Sequence, residues 1–226
     1  TPIDETMRTL DDLVRAGKVR YIGFSDTPAW KCAQAQMLAR FHGWSPLVAL
    51  QIEYSLVERT VEGDLLPMAQ ELGMGVTPWS PLKGGVLTGK FTRDNPTGGD
   101  STRGDWATSA LNDRVFNIID ALLKVAKEAG CTPAQAALAW LRAKPGVSSV
   151  IIGARTPKQL EDNLASAQVN LHANLVQMLD DASKPTLPFP YQFLERVSLA
   201  TQGGTTVNGR PSEPWPLAPA NDDERW

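Results

Sequence analysis

Four short apolar runs alternate with helical patterns along the first 170 residues, and this alternation constrains the fold more than any other feature. The runs are Val19 to Phe24, Leu47 to Ile52, Met74 to Trp79 and Val150 to Ile152. Between them, apolar residues recur three and four apart, as Met7, Leu10, Leu13 and Val14 do on one helical face. Thr1-Pro2, Thr27-Pro28 and Thr156-Pro157 open helices, Glu62 to Leu72 reads as another, and Gly17, Gly43 and Gly73 stand where helices stop. Strands separated by helices, each strand nearly continuous in apolar residues, predict a parallel α/β sheet with crossover connections. Ser25, Gln51, Trp79, Ser80 and Arg155 all fall at the carboxyl ends of these runs. That is the face where parallel α/β folds bind ligands, whether the sheet is open or closed. No G-x-G-x-x-G follows any run, so a Rossmann reading is weak and a barrel fits better.

The fourth run carries the most pointed chemistry. Val150, Ile151 and Ile152 lead into Gly153 and Ala154, which have little side-chain bulk, and Thr156-Pro157 then starts a helix. Thr156 at the N-cap and Gln159 three residues on predict a capping box, with Arg155 just before the first turn. Fixed charge and helix dipole together favour an anion such as a phosphate. An ordinary capped helix after an ordinary strand would look the same over this stretch, so the rest of the chain decides between them.

Composition narrows the choice. At 226 residues, 42% hydrophobic and 21% charged, the chain can bury a core of its own. Its formal net charge of -3 offers no basic stripe to nucleic acid or to an anionic membrane. Cys32 and Cys131 are isolated in helical patterns, which suits reduced thiols in a cytoplasmic compartment, and His42 and His172 stand too far apart in sequence to suggest a metal cluster. No apolar run is long enough to span a bilayer.

Between the third and fourth runs, Leu82 to Leu111 reads as a long loop rich in glycine, threonine and aspartate over the strand ends. Val115, Ile118, Leu122, Val125 and Ala129 mark one helix, and Thr132-Pro133-Ala134-Gln135 caps another that contains Trp140 and Leu141. A further helix spans about Leu175 to Ala182. Seven prolines between Pro185 and Pro219 predict an extended tail, so the chain divides into residues 1–184 and 185–226.

Three motifs resemble the aldo-keto reductase family. T-P-I-D-E-T-M-R-T-L-D-D-L-V-R-A-G-K-V-R-Y-I-G-F-S-D is similar to its fourth helix and fifth strand. W-S-P-L-K-G-G-V-L-T-G-K-F is similar to the seventh strand and following loop, and V-I-I-G-A-R-T-P-K-Q-L-E-D-N to the eighth strand and cofactor helix. The resemblance covers about residues 1 to 170 in order. It implies a (β/α)8 TIM-barrel type fold, truncated to roughly its last four βα units plus a helical insertion and tail.

The resemblance also implies NADPH as cofactor and a small aldehyde or ketone as substrate. By position, Ser25, Asp26 and Gln51 match residues that hold the nicotinamide carboxamide, with Asp26 in place of the commoner asparagine. Trp79 matches the aromatic residue that stacks on the nicotinamide. Ser80, Leu82, Lys83, Gly85, Leu87, Gly89 and Lys90 match the belt over the pyrophosphate. Gly153, Ala154, Arg155, Thr156 and Gln159 match the turn and helix that grip the 2′-phosphate, with Asp162 and Asn163 on the adenine side.

The family's catalytic tyrosine, lysine, aspartate and histidine come from the first four βα units, and no residue here takes their places by motif. Tyr54 stands at a strand end, but a tyrosine near its ordinary pKa of about 10 is a poor acid without a tuned partner; Tyr21 reads as mid-strand packing. Three readings follow: a reductase whose cofactor wall lies in this chain, a catalytically inactive NADPH-binding or regulatory subunit, or a truncated gene product. Four strands with open edges would expose apolar residues, to be covered by a homodimer, by the proline-rich tail folded across an edge or by residues before Thr1; a homodimer is the expectation if Thr1 is the true start. Trp106 in the long loop, and Phe189, Tyr191 and Phe193 in the tail, are candidates to line an apolar pocket or to anchor their segments.

Overall fold

The computed structural model describes residues 1–98, 108–194, 197, 205–207, 209–211 and 219. Helix α1 (Ile3–Arg15) leads into strand β1 (Ile22–Ser25), α2 (Ala29–His42) into β2 (Leu47–Glu53), and α3 (Leu65–Glu71) into β3 (Gly75–Trp79). The strands form a parallel sheet in the order β1-β2-β3, with Ser25 opposite Gln51, Gln51 opposite Thr77 and Glu53 opposite Trp79. Helices α4 (Asp113–Ala129), α5 (Pro133–Arg142), α6 (Pro157–Ala165) and α7 (Ala173–Ser183) complete the α/β unit.

The strands are not buried evenly. Leu50, Ile52, Val76 and Pro78 are buried, and the first three pack in one core with Ala35 and Ala39 of α2, Ala69 of α3 and Trp140 of α5. The opposite face carries Gly23, Ser25, Ala49, Gln51, Gly75 and Thr77, small or polar residues that are exposed or half-buried. The near-continuous apolar reading therefore resolves into alternation, and this uncovered face is less apolar than expected. Close packing explains its smallest members: a Cβ on Gly23 would lie 2.6 Å from the Ala49 carbonyl oxygen.

The fourth run does not form a regular strand. Val147 bridges Val76 in parallel, the Ser148 N–H donates to the Val76 carbonyl at 2.8 Å, and the Ile151 N–H donates to the Pro78 carbonyl at 2.8 Å. Pro78 has no N–H to return, so the ladder lapses at the point where Val150 to Ile152 would have continued it.

Other elements depart from their predicted form locally. The helix expected over 62–72 is a 3-10 turn, Thr60–Glu62, followed by α3, and the helix expected to open at Thr1-Pro2 starts with Pro2 at its N-cap and no side-chain cap. Tyr21 precedes β1 and is 77% exposed, so it does not pack as a mid-strand residue. The expected loop from Leu82 begins with 3-10 turns over Lys83–Thr88.

One polar cluster inside the unit joins distant parts of the chain. Arg59 is 6% exposed and grips both Glu62 carboxylate oxygens, at 2.7 and 2.9 Å, while donating to the Asp180 carbonyl at 2.9 Å and the Ser183 hydroxyl at 2.7 Å. Its guanidinium lies over the Trp140 ring, 5.2 Å from the centroid, and the Trp140 indole donates to Asp180 at 3.0 Å. Lys144 completes the set with a 2.5 Å contact to the same Asp180 oxygen. A buried guanidinium with this many charged and neutral acceptors is compensated for the water it loses.

Thr1–Pro185 forms one compact unit and Thr186–Trp226 another. In the second, Thr206–Val207 pairs antiparallel with Arg210–Pro211, and the Phe189 and Phe193 rings lie 6.1 Å apart. Trp106 and most of the proline-rich tail lie outside the described residues.

Candidate cofactor site

The site is assembled on the uncovered face, at the carboxyl ends of the strands. Because Ser25 pairs in register with Gln51, and Glu53 with Trp79, side chains from three strands rise from this one face in successive rungs. Asp26 follows β1 with φ 47, in the left-handed region that aspartate tolerates better than most residues, and its N–H donates to the Gln51 carbonyl at 2.9 Å. Its Oδ1 accepts a 2.9 Å hydrogen bond from the Trp79 indole, and the Ser25 hydroxyl donates to Oδ2 at 3.4 Å. Four of the predicted nicotinamide contacts, Ser25, Asp26, Gln51 and Trp79, thus form one connected group. Of these four, only Asp26 lines the hollow of about 360 Å³ at the strand ends, together with Pro28, Ile52, Glu53, Glu58 and Val61 among others.

The belt after β3 is built on unusual backbone. Ser80 and Lys83 have φ 53 and 45, and Gly84, Gly85 and Gly89 have φ 63, 100 and 85, which keeps this stretch close to the strand ends without side-chain bulk. The Lys83 ammonium meets the Glu53 carboxylate at 2.5 Å, an acidic partner that was no part of the sequence prediction. Leu82 packs on the core and Leu87 is fully buried within it, so Leu87 offers a ligand backbone only. Gly89 has a packing reason as well, since a Cβ there would lie 2.8 Å from Pro133 Cγ. Lys90 lies over the Phe91 ring, 5.1 Å from its centroid.

At the far end, α6 starts as predicted with one amendment. The Thr156 hydroxyl accepts from the Gln159 N–H at 3.2 Å, but the Gln159 side chain accepts from the N–H of Arg155 at 2.8 Å rather than from Thr156. The reciprocal half of the predicted capping box is therefore shifted by one residue, and it orders Arg155 against the helix. Gly153, Ala154, Arg155 and Thr156 are all exposed. Asn163 is 6% exposed and donates to the Gly153 carbonyl at 3.2 Å, which holds the turn. Asp162 accepts from the Thr132 hydroxyl and, at 2.7 Å, from the Gln135 amide, both at the start of α5. In this arrangement the two residues expected on the adenine side brace the helix. Thr132 and Gln135 form the complete capping box at α5, and their link to Asp162 had no local sequence signal.

Three titratable groups near these elements hold their protons more tightly than usual. Tyr54 is buried at 1% exposure, and its hydroxyl donates to Glu62 at 2.7 Å. Burial first, and the Glu62 hydrogen bond second, push its pKa far above the ordinary phenol value, so Tyr54 stays protonated with its hydroxyl on Glu62. Burial likewise raises the Cys32 thiol, and burial with the nearby Asp162 charge raises Cys131. Among the described residues no group of three or more His, Cys, Asp or Glu could hold a metal, and no helix is long and apolar enough to cross a membrane.

These residues fit an extended dinucleotide. An indole pinned by its N–H, two polar side chains in adjacent strands, glycines at positive φ in the belt and an exposed capped helix with an arginine are what this segment offers such a ligand. Comparison with known proteins gives the family. The profile of the Aldo/keto reductase family matches residues 1–184. An uncharacterized oxidoreductase of Bacillus subtilis is 38% identical over 181 residues, covering 80% of this chain and 54% of the relative. A putative aryl-alcohol dehydrogenase of Saccharomyces cerevisiae is 33% identical over 194 residues, covering 85% and 67%. Versiconal hemiacetal acetate reductase of Aspergillus parasiticus is 32% identical over 195 residues, covering 84% and 56%. The chain thus spans little more than half the length of two of these three relatives, and over residues 1–184 it belongs to the aldo/keto reductase family.

Proposed function

We propose that the protein reduces aldehydes or ketones to alcohols with NADPH, and that the segment described here supplies the wall that holds the cofactor. The observation that carries this reading is the placing of Ser25 and Gln51 on one rung and Trp79 on the next, all on one sheet face, with the indole fixed by Asp26. When bound, the cofactor supplies the hydride that reduces the carbonyl carbon. Ser25 and Gln51 would orient the carboxamide, Trp79 would give the ring its flat support, and the belt from Ser80 to Lys90 would follow the pyrophosphate. Arg155 beside the Thr156-capped helix would hold the 2′-phosphate, and so favour NADPH over NADH. Tyr54 is not the acid that protonates the carbonyl oxygen, because its hydroxyl is buried on Glu62.

Titration calorimetry of the purified protein with NADPH and NADH tests the binding half, with micromolar NADPH binding and weaker NADH binding expected. Carbonyl-dependent loss of NADPH absorbance tests the catalytic half. NADPH binding without turnover by the whole protein would leave a cofactor-binding or regulatory subunit, and no binding of either dinucleotide would remove the reading.

A further inference from the structure

We propose that Asp26 is a positioning and specificity-determining residue: it pins the plane of the Trp79 indole across the sheet, and its charge biases the site toward the oxidised, cationic nicotinamide over the reduced, neutral one. The inference rests on the reading of this face as a nicotinamide site.

The pin follows from topology. Trp79 closes β3 and Asp26 follows β1, so their hydrogen bond crosses over the middle strand β2. An indole N–H is a donor only, and a single well-placed acceptor removes its freedom to swing about the side-chain bonds. The acceptor is itself held. The Asp26 N–H is bonded to the Gln51 carbonyl of β2, and the Ser25 hydroxyl meets the second carboxylate oxygen. The left-handed backbone at φ 47 turns the residue back toward the sheet, and it admits aspartate or asparagine far more readily than alanine.

The charge follows from the neighbours. Asp26, Glu53 and Glu58 all line the hollow at the strand ends. Lys83 is matched to Glu53, and the Glu58 carboxylate is taken up by the N–H and hydroxyl of Thr60. Among the described residues the Asp26 carboxylate accepts from a neutral indole and a neutral hydroxyl, and neither hydrogen bond brings a compensating cation. Oxidised nicotinamide is cationic and reduced nicotinamide is not. A carboxylate close to the ring in a water-facing site would then favour the oxidised form by about threefold to tenfold in affinity.

Calorimetry with NADP+, NADPH and adenosine 2′,5′-bisphosphate on the purified protein separates the parts. Asp26→Asn keeps an oxygen acceptor for the indole and suits the backbone, but removes the charge. It should raise Kd(NADP+)/Kd(NADPH) about threefold to tenfold while leaving the bisphosphate unchanged. Asp26→Ala should in addition lose most of the Trp79 fluorescence quenching caused by NADPH, identified as the part absent in Trp79→Phe, and Asp26→Asn should retain it. An unchanged ratio in Asp26→Asn overturns the charge bias. Full quenching in Asp26→Ala overturns the pin. A loss of bisphosphate binding in Asp26→Asn shows a general disturbance and overturns the claim of specificity. If the unsubstituted protein binds the bisphosphate but neither dinucleotide better, this face is no nicotinamide site and both readings fall.

Discussion

Gln135 donates a 2.7 Å hydrogen bond to the carboxylate of Asp162, tying the first turn of α5 to the middle of α6. The same glutamine closes the capping box by accepting from the Thr132 N–H at 3.2 Å. One side chain thus ends one helix and places another. Gln135→Leu should cost about 2–5 kcal/mol in urea unfolding, the sum of a cap and a hydrogen bond to a charged group. If α6 grips the 2′-phosphate, the same change should weaken adenosine 2′,5′-bisphosphate several-fold, and an unaltered affinity would mean that α5 does not place the site.

Arg155 stands exposed where its backbone N–H is held by Gln159. Replacing it by alanine removes the guanidinium but keeps that backbone bond. The expected loss of NADPH affinity is about 1.5–3 kcal/mol, the range for a hydrogen bond to a charged group, with NADH nearly unaffected. Equal losses for the two cofactors in parallel titrations would remove the 2′-phosphate assignment.

Arg59 is a structural residue, and its removal should be felt throughout the unit. Arg59→Met leaves the Glu62 carboxylate, which is a quarter exposed, and the buried Ser183 hydroxyl without their guanidinium partner. Breaking a buried pair from one side costs about 3–5 kcal/mol, so the urea midpoint should fall steeply. A midpoint within error of the unsubstituted protein would show that water or Lys144 makes good the loss.

Asp11 gives the protein an acid limb of known sign. Its carboxylate accepts from the Ser45 N–H at 2.8 Å and the Ser45 hydroxyl at 2.9 Å and pairs with Arg15 at 2.5 Å, tying α1 to the turn before β2. The Arg15 hydrogen bond, followed by that from the Ser45 backbone, lowers its pKa below the ordinary 3.8. A lowered folded pKa means stability that is present in full above the unfolded value and is lost as pH falls through the folded one. Asp11→Asn should therefore destabilise the protein at pH 7 and flatten the decline below about pH 3.8. Unfolding curves from pH 2.5 to 7 with the same slope in both proteins would exclude Asp11 as a source of that limb.

The sequence displayed the sheet better than it displayed the site. β2 and β3 were legible to within a residue, because Gly73 and Ser45-Pro46 punctuate the chain just ahead of apolar runs. The fourth run misled because pairing depends on the neighbouring strand: Pro78 in β3 withholds the N–H that Val150 to Ile152 would need, whatever their own preference for extended structure. The site residues were legible as positions at strand ends, but their partners were not. Asp26 and Trp79 are 53 residues apart, Lys83 and Glu53 are 30, and Asp162 and Gln135 are 27, and no local pattern records such meetings. Gln159 shows the same limit at short range, where spacing predicted a cap but not which N–H would be taken.

The Arg59 cluster also sets an order on biosynthesis. Its hydroxyl partner, Ser183, is made 124 residues later, and its carbonyl partner, Asp180, 121 residues later. At about 5–20 residues per second, the ribosome leaves that guanidinium without those partners for roughly 6–25 s, long after β1, β2 and β3 could have met. Nascent chains stalled before Ser183 clears the exit tunnel should remain protease-sensitive around Arg59, and chains released beyond it should not. During that interval the three strands are complete but the cluster that joins Arg59 to α7 is not.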